Sequence, residues 1–463
     1  MGYATTNPYT GEIVKTFPDA TDSYVADAIT KAHHAFIDWR ETSFATRASI
    51  LQKAADLLRE QKDEFARLLT LEMGKLIGEA YAEIELSAQI FEYYVHNAGR
   101  LLEPEILPVA NPKEASAAIY HEPLGVLLAI EPWNFPYYQI ARIIAPQLSA
   151  GNTILLKHAS NVPQSAARFD KLMKDAGLPE GGFTNLYATR HQIETILNDP
   201  RVQGVALTGS EGAGAVVAQQ AANALKKSTL ELGGADAFIV LADADLEKTV
   251  KWAVFGRHWN GGQVCVSSKR MIIVDSVYDE FLERYKQGVA ALRVGDPLDK
   301  DTTLAPLSSQ AAADEVKEKI QLAISHGAVA LEVGPQVPQQ GAFVQPTILT
   351  QVSPDNPAYH MEFFGPVSML FRAKDEDEAV NIANDSPFGL GGSVFTRDTK
   401  KGEEVAKRVS TGMVYINHPT RVKADLPFGG VRRSGYGREL TGLGIKEFVN
   451  HKLISVVDID AEF

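Results

Sequence analysis

The sole cysteine among 463 residues, Cys265, lies in the stretch Trp259-Asn260-Gly261-Gly262-Gln263-Val264-Cys265-Val266-Ser267-Ser268. A lone thiol cannot form an intrachain disulfide, so it either packs or reacts. Free cysteine most often packs as a small hydrophobe. Two glycines just before it leave the backbone room for a ligand, and the mixture of Asn, Gln and Ser is unlike a core strand, so the stretch reads as a reactive thiol. A cysteine nucleophile needs a stabiliser for the oxyanion and a base to complete the reaction. Glu231, in Leu230-Glu231-Leu232-Gly233-Gly234, is a carboxylate set among apolar residues; it is either a strand-end glutamate in an ion pair or, since such surroundings raise a carboxyl pKa, a base near neutral pH. Asn134, between Trp133 and Phe135, can donate its amide to a developing alkoxide or form an Asx-turn before Pro136.

The elements that must carry these residues follow from periodicity. An Asn7-Pro8 turn and a short strand-like run precede a helix capped by Asp22 or Ser23, and helical spacing continues to about residue 101, with Ile50, Leu51, Ala54, Leu57 and Leu58 forming one apolar stripe. Residues 102–123 contain four prolines and an alternating run, which predicts a β arm standing off the body. From Gly125 onward, short apolar strands (126–130, 153–156, 205–207) alternate with helical stretches such as 161–176, as parallel βαβ units do. Ligands of such sheets sit at the strands' carboxyl ends, which selects Glu131–Pro136, Lys157–Ser160 and Thr208–Gly214. The last is glycine-rich and opens a helix, suiting a pyrophosphate, although neither GxGxxG nor GxxxxGK[ST] occurs. A second α/β half begins near residue 235, with strands at 238–241 and 270–274, a helix capped by Asp243 or Asp245 and another over 277–292. The tail ends in the alternating run Leu453–Val457, suited to pairing with the arm of this subunit or of a neighbour. The expected fold class is α/β, with a cofactor-binding domain over 1–101 and 122–233, a catalytic domain over 234–433, and an oligomerisation arm and tail over 102–121 and 434–463.

Composition narrows the partners. The net charge of −13 leaves no basic surplus for nucleic acid or an anionic membrane. The N-terminal residues lack the basic and apolar regions of a signal peptide, and no run of about 18 apolar residues occurs, so the cytosol is expected. The eleven histidines form no HExxH or Cys/His cluster, and no metal is predicted.

Pro132-Trp133-Asn134-Phe135-Pro136, Thr208-Gly209-Ser210, Glu231-Leu232-Gly233-Gly234, Asn260 to Cys265, Glu362-Phe363-Phe364-Gly365-Pro366 and Pro427-Phe428-Gly429-Gly430 occur in an order and spacing that resemble the aldehyde dehydrogenase superfamily over essentially the whole chain. The resemblance implies two doubly wound α/β domains, a modified Rossmann cofactor domain beside a catalytic domain, and NAD(P)-dependent oxidation of an aldehyde to an acid. Cys265 would attack the aldehyde, Asn134 and the Cys265 N–H would hold the oxyanion, and Glu231 would activate the water that hydrolyses the thioester. Glu362 would bind the nicotinamide ribose beside Phe364, Ser210 the pyrophosphate and Lys157 the adenosine ribose, within a cofactor set that also includes Trp133, Thr208, Gly209, Gly214 and Leu232.

NAD-preferring members carry a glutamate three residues after the lysine, where this chain has Ser160. Removing that carboxylate removes its repulsion of a 2′-phosphate, so NADP is expected to be preferred, with NAD possible. Within the superfamily the sequence is most similar to the succinate-semialdehyde dehydrogenases. Arg142, eight residues after Asn134 and expected on the same helix, matches an arginine those enzymes use for the substrate carboxylate, the other reading being a helix-surface or interface ion pair; a second family arginine is replaced by Trp259 and a serine by Lys423, leaving Arg421 or Lys423 to supply charge. Tyr138, Trp259 and Phe428 would wall a tunnel for a short aliphatic aldehyde. The alternatives are another short aldehyde, or CoA acylation on the same fold; Glu231 favours water as acceptor. The arm and tail imply a homodimer or homotetramer.

Overall fold

The computed structural model describes residues 2–111 and 115–461; residues 112–114 of the expected arm and 462–463 of the expected tail lie outside that range. Two mostly parallel sheets form the frame. In the first, the spatial order is Gly435–Tyr436, Lys227–Glu231, Val202–Thr208, Val126–Glu131, Thr153–His158 and Phe183–Asn185, with only the Gly435–Tyr436 edge antiparallel. The order reverses direction at Val126–Glu131, so the loops leaving that strand and Val202–Thr208 splay apart and open a crevice at their carboxyl ends. Near-continuous apolar sequence produces these strands because helices cover both faces; Val126 to Ala129 and Ile154 to Leu156 are fully buried.

The second sheet runs Val329–Glu332, Thr347–Thr350, Val367–Ala373, Ser268–Val274, Asp236–Val240, Gly392–Phe395 and Tyr415–Ile416, parallel except at its first edge. Cys265 precedes Ser268–Val274 and therefore stands at the amino end of a strand.

The arm strands Glu105–Leu107 and Ala115–Pro123 pair antiparallel with Val449–Val457 of the same chain, with Leu453 opposite Ile119 and Ser455 opposite Ala117. That pairing resolves the choice between own subunit and neighbour for this contact. Gly435–Tyr436, within the expected tail, instead closes the edge of the first sheet. Helix starts differ from expectation by a residue or two. Thr21, not Asp22 or Ser23, caps Asp22–Trp39 by accepting the Tyr24 N–H, and of the two aspartates considered for Leu246–His258 the cap is Asp245. The stripe of Leu51, Ala54 and Leu58 is fully buried, with Ile50 and Leu57 packed at its edge. No helix among the described residues is long and apolar enough to cross a membrane.

Candidate active site

Cys265, Asn134, Glu362 and Ser210 line one cavity of about 530 Å³, although they lie far apart in the chain. One wall comes from the first sheet's crevice: Trp133 and Asn134 follow Val126–Glu131, while Thr208, Gly209 and Ser210 follow Val202–Thr208. Leu232 and Gly233 form another part, and Glu362 and Phe364 close the cavity, Phe364 meeting Trp133 edge to face at 5.7 Å. Ser210 caps the helix Glu211–Asn223 by accepting the Ala213 N–H, so the helix's positive end points from the glycine-rich turn. Glu211 in that first turn would oppose an anion, but Arg433 Nε bonds it at 2.6 Å. Gly214 lies deeper, where a Cβ would meet Leu232 Cδ2 at 2.6 Å; its part is close packing of helix on strand.

The loop carrying Cys265 owes its shape to backbone conformation. Asn260, Gly261 and Gly262 have φ of 53°, 64° and 77°, three successive left-handed residues that reverse the chain after Leu246–His258. Gly262 also approaches Gly365 so closely that a Cβ there would lie 2.4 Å from the Gly365 carbonyl oxygen, which excludes any side chain. Arg257, wholly buried, ties this loop to the Glu362 segment by donating to the carbonyls of Gly262, Phe363, Gly365 and Val367 and to Ser267 Oγ.

Asn134 is oriented from several directions. Its Nδ2 donates to Gln263 O at 3.0 Å and its Oδ1 accepts from Gln139 Nε2 at 2.9 Å. A carboxamide carries two N–H groups, so one stays uncommitted; the Cys265 backbone N–H likewise has no acceptor among the described residues. Lys75 Nζ donates to Asn134 O at 2.9 Å and pairs with Glu83, whose carboxylate in turn accepts the N–H groups of Tyr137 and Tyr138 at the start of Pro136–Ala150. One turn earlier, Glu79 accepts the Asn260 N–H at 3.0 Å. A single face of the helix Ile77–Leu101 thus braces both Asn134 and the thiol loop. Burial lifts Glu79 to about 7.

Glu231 ends Lys227–Glu231, and its carboxyl does not line the cavity. It lies toward Gly429, whose Cβ position is 2.7 Å from Glu231 Oε1, and both its oxygens lack hydrogen-bond partners. Burial and then the charge of Glu439 push it well above the usual carboxylate range, against the pull of Arg142. Burial likewise pushes the Cys265 thiol up to about 12, with Lys269 and Arg142 working in the opposite direction.

The expected substrate residues are distributed differently from the sequence reading. Arg142 is buried behind the cavity, on the helix that starts only after Asn134: it forms an ion pair with Glu439, and its Nη atoms donate to Tyr138 Oη at 3.1 Å and Thr208 Oγ1 at 3.0 Å. Its plane faces the rings of Tyr138 and Phe428. The guanidinium is therefore already committed to an internal carboxylate, because Glu439 is brought beside it when its backbone pairs with that of Phe428. No spacing rule signals that contact between residues 142 and 439. Trp259 stacks on Phe255 and leans on Phe135 at 5.0 Å. Cys265, Trp259, Val422 and Ala424 pack, partly exposed, against the buried cluster containing Phe135, Tyr138 and Phe428, so the thiol has an aromatic side distinct from the cavity. Arg421 and Lys423 are exposed on the loop flanking Val422.

Lys157 and Ser160 lie outside that cavity. Ser160 O accepts the Ala4 N–H at 3.0 Å, and Lys157 Nζ stands 5.8 Å from the Tyr3 ring without a carboxylate partner among the described residues. Burial and then the nearby Arg190 pull the Lys157 ammonium below its usual range.

The chain matches the aldehyde dehydrogenase family over residues 1–454. The chain belongs to the aldehyde dehydrogenase family. Among curated relatives, it is 51% identical over 452 residues to an NADP-type succinate-semialdehyde dehydrogenase of Deinococcus radiodurans, covering 98% of this chain and 94% of the relative. A corresponding enzyme of Mycobacterium bovis is 46% identical over 454 residues, covering 98% and 99%. Among solved structures, succinic semialdehyde dehydrogenase from Streptococcus pyogenes in complex with NADP+ superposes with a TM-score of 0.96 at 44% identity, covering 98% of this chain and all of that one. This aldehyde dehydrogenase thus shares its whole architecture with enzymes of that name. Residues that motif spacing did not single out include Lys75, Glu79, Glu83, Arg257, Lys269 and Glu439. A signal existed for some of them: Glu79 and Glu83 recur at i and i+4 on the face of a helix that also carries Ala80 and Ile84, and a Lys-Arg pair opens a fully buried strand.

Proposed function

We propose that this protein oxidises succinate semialdehyde to succinate with NADP as hydride acceptor, through a thioester on Cys265. The observation that carries the reading is the convergence of Cys265, Asn134 and Glu362 on one cavity whose wall is a glycine-rich helix start. That start, with Glu211 neutralised by Arg433 and no carboxylate at Ser160, fits a phosphorylated dinucleotide. The bound nicotinamide supplies the hydride acceptor.

Sγ of Cys265 adds to the aldehyde carbon, and the uncommitted Asn134 amide N–H and the Cys265 backbone N–H donate to the oxyanion. Departure of hydride leaves the thioester. Glu231, turned from Gly429 toward the thioester, takes a proton from water as it adds; the thiolate leaves. The sum is aldehyde, NADP+ and water giving carboxylate, NADPH and two protons. Glu362 and Phe364 hold the nicotinamide end, Trp133, Leu232, Thr208, Gly209 and Ser210 the middle, and Lys157 and Ser160 the 2′-phosphate. Because the charge of Arg142 is committed to Glu439, we assign the substrate carboxylate chiefly to Arg421 and Lys423, beside the aromatic mouth of Tyr138, Trp259 and Phe428, with Arg142 behind it holding the Tyr138 hydroxyl. We also assign cofactor binding to the first sheet and its helices, the nucleophile to the second, and self-association to the arm, where Leu453, Val456 and Val457 are exposed on an open strand edge. A homodimer or homotetramer in the cytosol fits these features.

The test is NADPH formation with succinate semialdehyde, butyraldehyde and betaine aldehyde in wild type, Arg142→Met, and an Arg421→Ala/Lys423→Ala double variant. A selective loss of kcat/KM for succinate semialdehyde, by about 10-fold or more and consistent with a lost charged hydrogen bond of ~1.5–3 kcal/mol, is expected. Equal treatment of all three aldehydes by wild type and variants would remove the substrate assignment and leave an aldehyde dehydrogenase of other specificity.

A further inference from the structure

Lys269 is wholly buried, four residues after the nucleophile, at the start of the fully buried strand Ser268–Val274. Its Nζ donates to Val264 O at 2.6 Å and Cys265 O at 2.6 Å, and lies 3.0 Å from Glu362 Oε1. Three acceptors match the three N–H groups of an ammonium; a neutral amine has only two to give. The same Glu362 oxygen also accepts the Gly234 N–H at 3.2 Å, so Oε1 is held twice from within the protein. Oε2 has no hydrogen bond to protein among the described residues and lies 2.4 Å from where a Cβ on Gly233 would stand, in the cavity wall.

We propose that Lys269 is a positioning residue of this dehydrogenase: its ammonium is the fixed positive charge beside the Cys265 backbone that favours the thiolate in a buried site, and it holds Glu362 with one oxygen turned to the cofactor. This inference rests on the reading of Cys265 as nucleophile. The charged groups around the thiol are few. Lys269 and Arg142 favour its ionisation, while Glu362 and Asp236 oppose it. Arg142 is largely offset by its own ion pair with Glu439. Asp236 is bound by the Gly391 N–H at 2.9 Å and the Thr420 hydroxyl at 2.8 Å, and burial raises it to about 6. Burial pulls the Lys269 ammonium below its usual range, with Glu362 and Asp236 working against that pull and Arg257 adding to it, and the three acceptors around Nζ are what hold the proton. Burial penalises the thiolate, and a cation on the carbonyl side of the same residue is the contact best placed to offset that penalty at short range.

The experiment is alkylation of Cys265 by iodoacetamide between pH 7 and 10, followed by mass spectrometry, in the full-length protein, with residual activity measured on the same samples. Loss of wild-type activity in step with alkylation tests the nucleophile reading; the rate's dependence on the charge at 269 tests the present inference. Lys269→Met is expected to alkylate at least tenfold more slowly at every pH, with a several-fold rise in KM for NADP+, while Lys269→Arg recovers most of the alkylation rate. If Lys269→Met does not accumulate as folded protein by thermal unfolding, Lys269→Gln, which lacks the charge, replaces it. A wild-type alkylation profile in the uncharged variant, or equal losses in the Met and Arg variants, overturns the proposal.

Discussion

The two parallel sheets of this aldehyde dehydrogenase meet at one cavity but present opposite ends to it. The first offers the carboxyl ends of Val126–Glu131 and Val202–Thr208, where diverging loops make a crevice by topology alone. The second offers the amino end of Ser268–Val274, where nothing general makes a site, and the thiol is put in place by three left-handed residues, the buried Arg257 and the ammonium of Lys269. A rule about folds locates the first-sheet side of the cavity. The Cys265 side depends on particular contacts, and is correspondingly more sensitive to single substitutions.

The sharpest way to break that contrast is to remove the one first-sheet residue that must reach across. Glu231→Gln is expected to keep a rapid burst of one NADPH per active site while steady turnover falls about 10³-fold, within the range of general-base contributions; loss of burst and turnover together in stopped-flow would place Glu231 before hydride transfer instead. Its pH signature has a definite sign. Burial raises the Glu231 pKa, and a base works only when ionised, so deacylation is lost as pH falls through a value above the ordinary carboxylate range and is full above it. A pH profile of steady turnover that stays flat down to pH 5 contradicts this.

Asn134→Ala is expected to lower kcat by about 10²- to 10³-fold, the usual effect of losing one oxyanion donor, with the Kd for NADP+ nearly unchanged. A comparable weakening of cofactor binding by titration would show that Asn134 shapes the crevice rather than the reaction. Lys75→Met tests the brace beneath both halves. It strands the buried Glu83, and the cost expected for breaking a buried pair, about 3–5 kcal/mol, should appear in denaturant unfolding as a shifted midpoint. An unshifted midpoint would show that the Lys75–Glu83 pair does not brace the fold. The smallest effect is expected at Ser160→Glu, on the exposed rim of the first sheet: the NADP/NAD ratio of kcat/KM should fall by about 10-fold or more as a carboxylate faces the 2′-phosphate. An unchanged ratio would assign cofactor choice to Lys157 and Arg190 alone.

Legibility in the sequence followed the same division. Three of the six first-sheet strands (126–130, 153–156 and 205–207) and the loops leaving them were readable because continuous apolar runs and glycine-rich turns are local signals, whereas the strand order that opens the crevice was not. The motif residues Trp133, Asn134, Ser210, Cys265, Glu362 and Phe364 do converge on the cavity. Arg142 was the instructive departure. Its position on the helix was readable, but its partner was not, since Glu439 arrives from 297 residues away by backbone pairing with Phe428.

By itself, the sequence determined the α/β class, the lone thiol, the absence of a carboxylate at Ser160 and the identity of the groups able to do chemistry, because these depend on composition and near-neighbour spacing. Only the tertiary structure decided how charge is distributed among those groups. Three buried carboxyls, Glu131, Glu231 and Glu439, surround Arg142, and Lys269 spends its charge on Cys265 and Glu362, because burial makes each ionised group seek whichever partner the fold brings within a few ångströms. Partnership of that kind is set by packing between distant segments, and no spacing along the chain encodes it.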